Sequence, residues 1–140
     1  MKPIGSFFGQ YRFLSNFYMV PIELGNVQYE SSEHAYQAAK TKDKKMRKKI
    51  ARQPTAWQAK QLGQEIELRE DWEERKVEIM YRILRAKFTQ HKKLKEMLLA
   101  TGDAELIEGN TWQDYFWGVC QGKGKNMLGK LLMLLRIELK

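Results

Sequence analysis

In 140 residues the sequence has one cysteine, Cys120, and only two histidines, His34 and His91. A single thiol excludes an internal disulfide framework and a CxxC metal site, and two imidazoles are too few to build a zinc cluster. Cys120 reads as a small packing residue, because a nucleophilic thiol needs a base beside it. Long apolar runs are also missing. The longest, Met127 to Ile137, falls well short of the roughly 20 residues that span a bilayer. The opening Met1-Lys2-Pro3-Ile4-Gly5 lacks the continuous apolar stretch of a signal peptide. A cytoplasmic protein that uses no metal, cofactor or membrane is the resulting expectation. No repeat, low-complexity tract or linker interrupts the chain, so residues 1–140 are expected to form one domain.

What is present is ample core-forming material, 43% hydrophobic residues, and a net charge of +8. The charge is concentrated. Lys40, Lys42, Lys44, Lys45, Arg47, Lys48, Lys49 and Arg52 form one basic stretch, with Met46 and Ile50 spaced to anchor its underside. Such a helix is either a solvated face or a surface for an anionic partner, a nucleic-acid backbone or nucleotide phosphates.

Ser31-Ser32-Glu33-His34-Ala35-Tyr36-Gln37-Ala38-Ala39-Lys40 begins with two candidate N-caps. Glu33, Tyr36, Gln37 and Lys40 follow the i, i+3, i+4, i+7 rule and share one face, while the alanines let another face pack closely. The helix N-terminus favours the ionised form of Glu33. Lys40 is too far from it for an i, i+4 pair, so the face is either solvated or reserved for chemistry.

The rest of the chain reads as mostly helical. Met19 to Leu24 and Val27 to Tyr29, joined by Gly25-Asn26, form a hairpin. Pro54-Thr55 opens a short helix through Leu62, which Gly63 closes with left-handed backbone. Asp71 and Glu74 make a capping box for a helix to about Phe88, with Trp72 in its first turn and Val77, Met80, Tyr81, Leu84 and Phe88 buried. Leu94, Met97 and Leu98 mark another helix, ended by Thr101-Gly102-Asp103. Leu106-Ile107 fits a short strand. Asn126 caps a final helix that is apolar nearly all round and therefore central. The fold expected is α+β, a single mostly helical domain with a small antiparallel β-sheet.

Between Gly109 and Gly124, a loop carries Trp112, Asp114, Tyr115, Phe116 and Trp117. Flat rings suit a base or ribose, and a neighbouring carboxylate suits chemistry in which a ribose carbon gains positive charge. Core anchoring by Trp117 and a turn role for Asp114 are the simpler alternatives.

Leu14-Ser15-Asn16-Phe17, Glu33-His34-x-x-Gln37-x-x-Lys40, Asp71-Trp72, Lys87-Phe88, Thr101-Gly102, Asp114-x-x-Trp117-Gly118, Asn126-x-Leu128-Gly129 and Arg136 occur in one order. That ordered set resembles the NADAR family over nearly the whole chain. The resemblance implies an N-glycosidase that cuts between ribose C1 and a base nitrogen in phosphorylated ribosides. Its members act on phosphoribosyl intermediates of riboflavin synthesis or on ADP-ribosylated guanine bases. Carried over motif by motif, it implies catalytic roles for Glu33, Lys40 and Asp114, and substrate binding by Trp72, Trp117, Asn16 and Gln37. One carboxylate stabilises an oxocarbenium-like centre or activates water, and the other protonates the base or positions the ribose hydroxyls. Lys40 either holds a phosphate or hydroxyl, captures opened ribose as a Schiff base, or forms a structural ion pair.

Where many members have a further glycine two residues after Trp-Gly, this chain has Val119 and Cys120, which bears on how closely the backbone approaches a phosphate. A noncatalytic nucleic-acid module, without any recognised nucleic-acid motif, and an ADP-ribose-binding module that has lost turnover are the alternatives from another class.

Overall fold

A computed structural model describes residues 1–140, which gather into two compact units. One is continuous, residues 16–90; the other joins residues 1–15 to 91–140. The fold class is α+β. No helix is long and apolar enough to cross a membrane.

The continuous unit opens with a hairpin, β1 (Met19–Leu24) and β2 (Val27–Ser31). Leu24 pairs with Val27 and Ile22 with Tyr29, and the register shifts between Met19 and Ile22, beside Pro21. A proline cannot donate to the ladder, so it belongs at such an irregularity. Gly25 and Asn26 have φ of +56° and +64°, the two positive angles that a two-residue hairpin turn requires.

Four helices follow: α1 (Ser32–Ala39), α2 (Lys44–Ala51), α3 (Ala56–Gly63) and α4 (Trp72–Gln90). Ser31, Asp43 and Thr55 each accept a backbone N–H at the start of the first three. The basic stretch divides: Lys40 ends α1, Lys42 lies in the connection, and α2 keeps Ile50 buried and Met46 half-buried beneath its cations. α1 packs against α2, α3 and α4.

Gly63 does not adopt the left-handed conformation expected of it. It is the last residue of α3, and a Cβ there would collide with the Gln37 side chain. Close approach, rather than backbone freedom, is what requires glycine at this position.

In the discontinuous unit, a 3-10 helix spans Gly9–Leu14 and α5 spans Lys92–Ala100. Gly102, at φ +64°, turns the chain after α5. Leu106 does not start a full strand; it makes a single parallel bridge to Ile4. Two short strands unanticipated by the sequence, β3 (Gly109–Asn110) and β4 (Val119–Cys120), pair in parallel and close the base of the aromatic loop. Cys120 is buried there.

The last helix, α6 (Met127–Glu138), buries Leu128, Leu131, Leu132, Leu135 and Arg136. It is one-sided rather than enclosed, since Leu134 and Ile137 are exposed. Asn126 occupies the N-cap position but forms no side-chain cap. Its amide donates to Leu106 O at 2.9 Å and its Oδ1 accepts from Glu108 N at 2.9 Å, splicing the preceding segment to the helix start. The buried Arg136 guanidinium donates to Thr101 Oγ1 and Ala104 O.

Candidate active site

The first helix carries the densest chemistry. Every residue from Ser31 to Ala38 is buried, including the paired alanines Ala35 and Ala38 that permit tight packing. At its start, Ser31 Oγ accepts from His34 N and lies 2.6 Å from His34 Nδ1. The other ring nitrogen lies 2.8 Å from Gln53 O. A carbonyl only accepts, so Nε2 carries the hydrogen. His34 therefore braces the helix start against the turn after α2, with both nitrogens engaged.

Glu33 sits in the first turn, where the helix dipole favours negative charge. Its N–H donates to Asn16 O at 2.9 Å. One turn later, Gln37 Nε2 donates to Glu33 Oε1 at 2.8 Å, a buried bond. A dipole and an amide donor both favour the ionised carboxylate. Two buried acceptors here, Gln37 Oε1 and Asn16 Oδ1, make no hydrogen bond; Asn16 Nδ2 lies 3.6 Å from Met80 Sδ.

Lys40 ends the same face. Its ammonium lies 5.4 Å from the centre of the Tyr36 ring, and no salt bridge ties it to Glu33. Burial lowers the lysine pKa; Glu33 pulls it back up, while Lys60 and Lys76 push it further down. The structural ion pair considered for Lys40 is therefore not formed.

Lys40 is held from behind by the Asp71-Trp72 pair. Arg69 N donates to Lys40 O at 2.7 Å, and the Arg69 guanidinium forks onto both oxygens of Asp71 at 2.6 and 3.0 Å. The fork occupies the carboxylate that the sequence assigned to a capping box. It also holds the Asp71 carboxyl down at about 2. Trp72 is buried and tilts onto Tyr36, ring centres 5.3 Å apart. Its ring thus lies behind the Tyr36 ring that faces the Lys40 ammonium.

The discontinuous unit holds Asp114 and Trp117. Asp114 Oδ1 accepts from Phe116 N and Trp117 N, a turn that stacks Phe116 edge-to-face on Trp117 at 4.8 Å. Asn110, which sequence reading missed, clamps this loop: Nδ2 donates to Glu108 O, Asp114 O and Val119 O, and Oδ1 accepts from Asp114 N. Nothing local flags an asparagine in this role; only folding brings its four partners together. Thus Glu33, Gln37, Lys40, Trp72 and Asn16 belong to the continuous unit, and Asp114 and Trp117 to the other.

Lys87 is a second residue passed over. It is fully buried in α4 between the Tyr18 and Phe88 rings, 5.7 and 5.2 Å from its ammonium. Burial lowers its pKa to about 7. The available signal was its place seven residues after Met80, on an otherwise apolar stripe.

An α+β fold with a carboxylate, an amide and an unpaired amine along one buried helix is thus what the chain presents. Its sequence matches the NADAR domain over residues 6–140, and the chain belongs to the NADAR family. It is 44% identical over 128 residues to the N-glycosidase YbiA of Escherichia coli, covering 89% of this chain and 79% of that protein. A riboflavin biosynthesis protein of Vibrio vulnificus is 44% identical over 131 residues, 91% of this chain, which spans 35% of that protein's length. The NMR structure of E. coli YbiA superposes with a TM-score of 0.88 at 40% identity, over 99% of this chain and 86% of that one.

Proposed function

We propose that the chain is an N-glycosidase that hydrolyses the bond between ribose C1 and a base nitrogen in phosphorylated ribosides. The substrates in view are riboflavin-biosynthesis intermediates or ADP-ribosylated guanine bases. The observation that carries this reading is Lys40: half-buried, free of any salt bridge, lowered in pKa, and on one face with Glu33, whose carboxyl accepts from Gln37. Family membership, with a match over residues 6–140, and the 44% identity to proteins named N-glycosidase support it, and residues 1–140 are read as one domain.

In the reaction, the C1–N bond breaks with its electron pair passing to the base, which takes up a proton, and C1 becomes oxocarbenium-like. Glu33, held as a carboxylate, stabilises that centre and accepts a proton from water. Asn16 Oδ1 and Gln37 Oε1 offer unused acceptors for ribose hydroxyls. The Lys40 amine adds to the oxocarbenium-like C1 ahead of water; ring O4 then leaves C1, taking up the proton the nitrogen gives up, to form a Schiff base. The water that Glu33 deprotonates adds to C1 and expels the amine, releasing ribose. Asp114 supplies the second carboxylate through Oδ2, since Oδ1 is spent on the loop, and Trp117 gives a ring surface for the base. Trp72 acts by supporting Tyr36.

Incubation with a panel of phosphoribosyl and ADP-ribosyl compounds, read by release of free base, tests the activity. Borohydride added during turnover should trap ribose on Lys40, and Lys40→Arg should be inactive despite keeping its charge. An arginine variant with substantial activity and no trapped adduct would remove the covalent step. Absence of base release across the panel would leave only a binding module.

A cytoplasmic site of action and contact between α2 and a polyanion belong to the same proposal. The exposed Lys44, Lys45, Lys48 and Lys49 support the latter.

A further inference from the structure

Lysine is an unusual residue to place on the buried stripe of a helix, because its ammonium must leave water or find a partner. The continuous unit does this on three helices that pack together. α3 buries Ala56, Ala59 and Gly63, and Lys60 falls on that same i, i+4 stripe, only half-exposed. On α4, Lys76 stands four residues from buried Trp72 and four from buried Met80, with its side chain 16% exposed. Lys40 ends α1, which packs against both. These positions would ordinarily be apolar.

Lys76 pairs with Glu73 at 2.7 Å. Lys60 has no carboxylate partner; its ammonium faces the Phe17 ring at 5.9 Å. Both repel Lys40, whose only attractive carboxylate is Glu33. Lys60 is thus a half-buried amine that no carboxylate reaches, set where two further amines also converge. Helix stability alone gives no reason for the arrangement. On α4's outer face, by contrast, Arg75 and Arg82 both reach Glu78.

We propose that Lys60, assisted by Lys76, is the binding site for the substrate's phosphate group. This rests on the N-glycosidase reading and assigns the phosphate to residues other than Lys40. A phosphate on Lys60 gives that ammonium a charge-assisted partner, and the positive charge of Lys76 adds attraction. Lys40 is then spared as a counter-ion and stays available for C1. Phosphate recognition also explains how binding energy remote from the scissile bond holds the ribose in place.

The probes are ribose 5-phosphate and ribose, with binding followed by calorimetry and by the 31P chemical shift. Wild type should prefer ribose 5-phosphate. Lys60→Gln should weaken that compound by about tenfold, the usual worth of one charge-assisted bond, while leaving ribose binding unchanged. Lys60→Arg should retain most of the preference, which guards against a variant that merely misfolds. Lys76→Gln should show a smaller loss of the same sign. Unaltered ribose 5-phosphate binding by a folded Lys60→Gln, or equal wild-type affinity for the two probes, would overturn the assignment. Binding needs no turnover, so the two readings fail separately. A protein that discriminates phosphate through Lys60 but cleaves no riboside would keep the subsite and lose the glycosidase. Cleavage of phosphorylated ribosides at an unchanged kcat/KM in Lys60→Gln would do the reverse.

Discussion

Lys40 is fixed at its backbone by Arg69, whose N–H donates to the Lys40 carbonyl at 2.7 Å while its guanidinium is gripped by Asp71. The fork sets the turn that leads into α4, and the turn sets where the amine begins. Asp71→Ala frees the guanidinium and loosens that anchor without touching any proposed reacting group. A fall of about tenfold or more in kcat is expected with fold retained, since small misplacements of a reacting group are costly. The Asp71 carboxyl is held at about 2 rather than 3.8. A depressed carboxyl contributes stability above its unfolded pKa and loses it as pH falls through the folded one. Thermal melts of wild type and variant should therefore converge as the pH drops from 4 toward 2.

Glu33→Gln should reduce base release by about a hundredfold, the usual cost of losing one acid–base group, while circular dichroism stays unchanged. Asp114 separates two roles in one pair of variants. Asparagine keeps the side-chain oxygen that accepts from Phe116 N and Trp117 N; alanine does not. Asp114→Asn is expected to fold normally and lose activity about a hundredfold. Asp114→Ala should also lose about 1 kcal/mol of stability. Full activity in the asparagine variant would make Asp114 a loop anchor only.

Lys87, at about 7 in the fold against 10.5 ordinarily, makes stability rise with pH. Between those values the unfolded chain holds a proton that the folded chain has released, so the cost of charging is fully present below 7 and gone above 10.5. Lys87→Met should raise Tm at pH 7 and flatten the Tm-against-pH curve up to pH 10. A curve of unchanged slope would show that the ammonium is stabilised in the fold.

On α2 the lysines at 45, 48 and 49 are exposed. Their joint reversal to glutamate should leave cleavage of a small riboside intact. It should weaken binding to a single-stranded oligonucleotide and reduce the slope of log K against log salt by about 2. An oligonucleotide that fails to bind wild type at 50 mM salt would mark the face as merely solvated.

The hairpin, its Gly-Asn turn, the Ser31 cap and the shared face of Glu33, Gln37 and Lys40 are all written in local spacing, and so could be read from sequence. What could not be read depends on partners distant in the chain. Gly63 looks like a helix stop until Gln37, 26 positions earlier, is seen against it. Asn126 has the look of a cap, yet its side chain is spent on Leu106 and Glu108. Trp72 suggests a stacking platform by type, and only the fold shows its ring buried against Tyr36. Lysines 60, 76 and 87 were hidden for another reason: amphipathic reading places charges outside, and here helices carry them inward.

The helix bearing Glu33 and Lys40 is only eight residues long, far below the length at which an isolated helix persists in water. Its two turns exist because α2, α3, α4 and the hairpin surround them. There is consequently no partly assembled form in which this helix could keep its amine and carboxylate in register. Heat inactivation and loss of tertiary structure become one event, and a protease that nicks any of the enclosing helices disarms the chemistry as surely as one that cuts the helix itself.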